Sequence, residues 1–223
     1  MDAPSTSEVD YARCQRDLAA LNRITFTHSS TLRWLDRMTR GLPAGTRISV
    51  LDVACGHGDL LRAIRRWADQ RQLDVALEGI DLNPRSAREA IAVTRPSMAI
   101  AYRTGDVFAY DPSPAPDFIV TSQFAHHLAD TDLVNFLVWL DRHAAKGWFI
   151  ADLHRHAFAY HGFPWLARVA GWHRIVRMDG RISIARGFRR ADWRELIAQA
   201  GVSARVTWSF PFRWSVFSSR TAA

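Results

Sequence analysis

The chain has 223 residues, 48% of them hydrophobic, and 29 lysines and arginines against 22 acids give a formal charge of +7. That length suits one domain with a sizeable core, the two cysteines, Cys14 and Cys55, are too few for a disulfide scaffold or zinc ribbon, and no apolar run is long enough to span a bilayer. A basic balance admits nucleic acid, an anionic membrane surface or an acidic substrate, but all the cations except Lys146 are arginines that read as scattered over helix faces, so no nucleic-acid partner is expected.

From the start of the chain, Met1 to Asp10 has neither the basic region nor the apolar stretch of a secretory leader, which points to a cytoplasmic protein. Residues 8 to 40 read as helical, with Leu18, Leu21, Ile24, Leu32, Leu35 and Met38 at helical spacing and Gly41 and Pro43 as the stop. Ile48 to Val53 is a buried strand with Asp52 near its carboxyl end, where ligands bind in open α/β sheets. Cys55-Gly56-His57-Gly58 follows as a tight turn whose glycines permit positive φ and close ligand approach. Asp59 then opens a helix over 59 to 70 that sets Leu60, Leu61, Ile64, Trp67 and Ala68 on one face. Glu78 to Asp81 is a second strand with an acid at its tip, followed by Asn83 as cap and Pro84 in the first turn of a helix to residue 94.

A third strand runs into Gly105-Asp106-Val107. Phe118 to Thr121 is the fourth, and it leads into Ser122-Gln123-Phe124-Ala125-His126-His127-Leu128. A helix over 131 to 143, with Asp130 or Thr131 as its cap, and a fifth strand, Trp148 to Ala151, complete the alternation. The aromatic and arginine-rich segment 154 to 188, punctuated by Gly162, Pro164, Gly171 and Gly180, breaks it where a substrate lid would sit. A helix over 193 to 200 and strands over 202 to 208 and 212 to 217 close the chain.

Two nucleotide-binding patterns compete for the glycine turn. Gly-x-Gly-x-x-Gly fails because Leu61 stands at the third glycine, and a phosphate loop fails for want of Gly-Lys-Ser/Thr. The run Asp52-x-Ala54-x-Gly56-x-Gly58 instead resembles the first motif of class I methyltransferases, which use S-adenosylmethionine (SAM). Asp81 corresponds to the acid that meets ribose hydroxyls, roughly 20 residues past the glycines. Asp106 and Val107 resemble the motif that meets the adenine amino group and ring. The resemblance implies a Rossmann-like α/β fold: a seven-stranded, mostly parallel sheet with an antiparallel final strand and helices on both faces. It divides the chain into an N-terminal helical cap (1–45), a SAM-binding core (46–153), a lid (154–190) and the closing helix and strands (191–223). The implied cofactor site comprises Asp52, Ala54, Gly56, Gly58, Asp59, Asp81, Leu82, Asp106, Val107 and Gln123.

The His-His-Leu loop, the Asp-Leu-His after the fifth strand and the final Phe-Pro-Phe-Arg-Trp look like bacterial quinol or polyketide methylases, which implies methylation of an oxygen on a small aromatic or polyketide-like acceptor. A phenol with a pKa near 10 becomes a good nucleophile when its proton is taken, and imidazole is a suitable base. His126 or His127 is the candidate base, with His154 as an assistant. The spacing of His154, His156 and His161 matches no zinc motif, and the acid and amide triad of catechol-type enzymes is missing, so no metal is expected. Carbon, nitrogen or RNA acceptors, and a non-catalytic SAM-fold subunit, are the alternatives; oligomeric state is open.

Overall fold

The computed structural model describes residues 7–220. Residues 1–6, which belong to the expected cap and to the stretch read for a leader, and 221–223, at the end of the closing strands, lie outside the described residues.

The expected helical stretch of 8 to 40 is two helices, α1 (Glu8–Ile24) and α2 (Ser29–Met38). Ser7 caps the first by accepting from the Asp10 N–H, and the chain breaks at Phe26, whose φ of 51° no helix tolerates. Strands and helices then alternate: β1 (Arg47–Val53), α3 (Asp59–Gln70), β2 (Asp74–Asp81), α4 (Pro84–Val93), β3 (Ile100–Thr104), β4 (Phe118–Ser122), α5 (Asp130–His143) and β5 (Gly147–Leu153). Asn83 caps α4 as its position predicts, accepting from the Arg85 N–H. Neither Asp130 nor Thr131 caps α5: the cap position is Ala129, and Asp130 and Asp132 lie in the first turn, where the helix dipole favours acids.

The segment after β5 forms α6 (Ala157–Val169) and α7 (Arg174–Arg186), and α8 (Arg190–Ala200), β6 (Arg205–Ser209) and β7 (Arg213–Ser219) close the fold. Gly162, Pro164 and Gly180 lie inside helices instead of between them, and only Gly171 marks the break. Gly180 is a packing residue, since a Cβ there would occupy the Phe163 ring.

The sheet order is β3-β2-β1-β4-β5-β7-β6, with β7 antiparallel to both neighbours and the other pairs parallel. Strand periodicity divides the core into two layers. Ile48, Val50, Phe118, Val120, Phe149 and Ala151 face Trp34, Leu35, Leu61 and Ile64 of α2 and α3. Leu51, Val53, Ile119, Trp148 and Ile150 face Leu133, Phe136, Leu137, Trp193 and Leu196 of α5 and α8. Each Val, Leu, Ile or Phe among them contributes about 1.5–3 kcal/mol by leaving water. A third, smaller cluster joins Cys14 and Leu21 of α1 to Ala167, Trp172 and Val176, so α1 packs on the segment that forms α6 and α7. The strand order reverses between β1 and β4, and the carboxyl ends of those strands are where open α/β sheets bind ligands.

Candidate active site

At that reversal a cavity of about 1530 Å³ opens. It exceeds the roughly 300–1,000 Å³ of a single small-molecule site, which leaves room for two ligands side by side. Of the residues singled out from sequence, Ala54, Gly56, Asp59, Asp81, Leu82, Asp106, Val107, Gln123, His126, His127 and His154 line it, whereas Asp52 and Gly58 do not.

Asp52 lies one residue before the end of β1, buried beneath the glycine turn. Burial first, and the charges of Asp59 and Asp81 second, push its carboxyl well above the usual range, which favours the neutral acid. Gly58 turns its back on the cavity: its φ is 70°, and a Cβ would strike the Tyr102 ring. Gly79 of β2 supports the turn from the other side, where a Cβ would come within 2.7 Å of Cys55 Sγ and 2.8 Å of Leu61 Cδ1.

Asp81 is tied to the turn itself. Gly56 N–H donates to its Oδ2 at 2.8 Å, and Asn83 N–H donates to its Oδ1 at 2.9 Å. Two non-glycine residues at neighbouring strand tips, Ala54 (φ 57°) and Gln123 (φ 58°), are in the left-handed region. That conformation costs about 1–2 kcal/mol per residue and turns both into the cavity wall. Asp106 caps a short 3-10 turn by accepting from Phe108 N–H, and Val107 is buried behind it in the α5 layer.

Asp59 is the centre of a polar chain that sequence reading missed. Asn22 Nδ2 donates to its Oδ2 at 2.9 Å, His28 Nε2 lies 3.0 Å from the same oxygen, and Gln123 Nε2 donates to Asn22 Oδ1 at 2.6 Å. Burial alone would raise this carboxyl, but the hydrogen bonds of His28 and Asn22 outweigh it and hold Asp59 far below the usual carboxylate range. The N-terminal helices thus supply polar atoms to the start of α3. His57 was also missed; it lines the cavity, rests on Arg62, and burial and that guanidinium lower its pKa.

The other end of the cavity is built on β4 and β5. His126 is buried, and its Nδ1 is 2.7 Å from Oδ1 of Asp152, which is itself fully buried. The carboxylate is further pinned by the backbone N–H groups of His126 (3.3 Å) and Leu153 (2.6 Å). With Nδ1–H donating to Asp152, the other nitrogen, Nε2, carries the lone pair, and it has no hydrogen-bond partner among the described residues. Asp152 was passed over because the fifth strand was expected to stop at Ala151. Pairing with β7 carries it on to Leu153 and fixes Asp152 opposite Trp214.

His127 is exposed, its ring 4.2 Å from that of His126. His154 packs against Trp214, and burial followed by the charge of His156 lowers its pKa. Arg213 closes the floor: it is buried, donates to Thr27 Oγ1 at 2.6 Å and to Pro211 O at 3.1 Å, and burial pulls its pKa down to about 10. Phe158, Phe163, Leu166, Val176 and Ile184 of α6 and α7 make most of the remaining wall apolar, with Asp179, Ser183 and Arg186 beside them.

A family model described as a methyltransferase domain matches residues 26–204. No curated protein matches the sequence. Among solved structures, the chain is similar to plantazolicin methyltransferase in complex with S-adenosylhomocysteine (SAH), with a TM-score of 0.66 and 12% identity over 94% of both chains. It is also similar to a SAM-dependent methyltransferase from Aquifex aeolicus (TM-score 0.63, 17% identity, 96% of this chain and 98% of that one). Magnesium protoporphyrin IX methyltransferase from Synechocystis PCC 6803, with bound SAH, gives 0.58 and 16% over 98% and 90%. At such identities the likeness is one of fold.

Proposed function

The chain belongs to the methyltransferase-domain family, and on that premise we propose that it moves the methyl group of SAM to an oxygen of a small aromatic or polyketide-like acceptor. The residues present fit the cofactor. Gly56 offers backbone without a side chain, Asp59 is held ionised at the start of α3, and Asp81 is fixed beside them, which together make a negative wall for a ligand with a sulfonium and an ammonium. SAM, when bound, supplies an electrophilic methyl group. Asp81, fixed by two backbone N–H donors, would accept from the ribose hydroxyls; Asp106 and Val107 would meet the adenine amino group and ring.

The observation that carries the acceptor reading is the His126–Asp152 pair. A buried imidazole held at Nδ1 by a buried carboxylate, on a residue that lines the cavity and with Nε2 unpartnered among the described residues, is an oriented general base. His126 takes the hydroxyl proton as the oxygen becomes a nucleophile, and Asp152 stabilises the imidazolium that results. The apolar side chains of α6 and α7 align the acceptor, which contributes through proximity. His127, exposed beside it, and His154, packed on Trp214, line the same end of the cavity.

Methyl transfer from labelled SAM to a panel of phenols tests this. Turnover of at least one phenol by the wild type, with His126→Gln slowed about 10²–10⁴-fold, is the expected result. Full activity in His126→Gln removes the base role and leaves an acceptor that is already nucleophilic.

A further inference from the structure

The segment that forms α6 and α7 differs from the rest of the surface in both charge and polarity. Residues 154–190 contain eight arginines and one acid, Asp179, whereas the rest of the chain carries twenty-one basic and twenty-one acidic residues. The whole formal excess therefore resides in this one segment, and the arginines that read as scattered are concentrated after all.

The same segment exposes large apolar side chains. Val169 is 86% exposed, Trp165 74%, Phe158 71% and Met178 65%. Phe158, Trp165 and Val169 are spaced at i, i+7 and i+11 and so share one face of α6. On α7, Met178 and Ile182 are exposed with Arg174 and Arg181 on the same face. Phe158, Leu166 and Ile182, all exposed, also border the cavity. An apolar stripe of this size among cations, continuous with a ligand cavity, marks a contact surface.

Three occupants can be weighed. A second copy would set one cationic face against another. Nucleic acid would use the arginines and could stack on Trp165, but would leave the aliphatic Val169, Met178 and Ile182 without a role. An anionic bilayer uses both sets, arginines at the headgroups and aromatic and aliphatic side chains at the acyl boundary. We propose that this face of α6 and α7 docks on an anionic phospholipid surface. No helix among the described residues is long and apolar enough to cross a membrane, so the attachment is peripheral. On the methyl-transfer reading, the cavity rim then opens toward the lipid phase and admits a lipophilic acceptor from it.

Flotation of the full chain with phosphatidylcholine vesicles, and with vesicles in which a third of the lipid is phosphatidylglycerol, tests the docking. We expect binding about tenfold tighter to the anionic vesicles, weakened by salt. The Trp165→Ser/Val169→Ser pair lowers binding to both vesicles, and the Arg168→Gln/Arg174→Gln pair removes only the anionic preference. SAH titration of the same proteins is unchanged, because none of the four residues lines the cavity. Should the first pair fail to fold, Met178→Ser on the other helix reads the same loss. Absence of flotation by the wild type overturns the proposal, as does tight RNA binding insensitive to Trp165→Ser or a dimer that this substitution dissociates. If SAH fails to bind while flotation succeeds, methyl transfer falls and the docking stands.

Discussion

At the glycine-turn end of the cavity the site is made from short consecutive runs: Ala54 to Asp59 between β1 and α3, Asp81 to Asn83 after β2, and Asp106 and Val107 after β3. At the opposite end the parts come from distant stretches of the chain. His126 comes from the turn after β4, Asp152 from β5, Arg213 from β7 and the apolar wall from α6 and α7, and only the pairing of β4 with β5 and β5 with β7 brings them together. The first end depends on backbone geometry that tolerates no added atoms. The second depends on one charged hydrogen bond and on shape. Substitutions at the two ends should therefore damage different quantities.

The largest effect is expected at the acceptor end. Asp152→Asn leaves a side chain of the same size but removes the charge that orients His126, and kcat should fall about 10²–10⁴-fold while the SAH dissociation constant stays the same. A parallel loss of SAH affinity would break the separation of the two ends. At the other end, Gly79→Ala drives a methyl group into Cys55 and Leu61. Overpacking of this kind costs about 1–3 kcal/mol, read as a lower midpoint in urea, and SAH binding should weaken because the turn shifts.

Two smaller effects concern acids at the turn, and they have opposite signs. The folded-state pKa of Asp59 is depressed, so its stabilisation is present above the unfolded value of about 4 and is lost as pH falls below it. Thermal melts of Asp59→Asn should show a shallower acid limb than the wild type. Asp52 is raised, so its contribution is full below the unfolded value and is lost as pH rises through the folded one. Asp52→Asn should flatten the alkaline side of the same curve, and an unchanged curve would mean that the carboxyl is solvated.

Strand and helix periodicity made the individual strands and the helices expected over 59–70 and 84–94 legible, because each buries one stripe against a neighbour, whereas the seven-stranded sheet and its antiparallel final strand came from the family resemblance. The turn acids were legible for a related reason: they stand at fixed distances from strand ends. Asn22, in α1, and His28, in the turn before α2, were not, since a lone polar residue looks like a solvated one until the partner element, here the start of α3, is in place. Asp152 needed the register of β7, which no local pattern encodes. The charge of α6 and α7 was visible in the residue counts, but its meaning required knowing that Trp165 and Val169 face water.

Titration calorimetry of SAH into the wild type and Asp81→Ala tests the central claim, that the cavity over the glycine turn is a SAM site. The account predicts saturable one-to-one binding, weakened about tenfold or more when the carboxylate that holds Gly56, and that we propose meets the ribose, is removed. No heat with the wild type, or the same dissociation constant for both proteins, would contradict it.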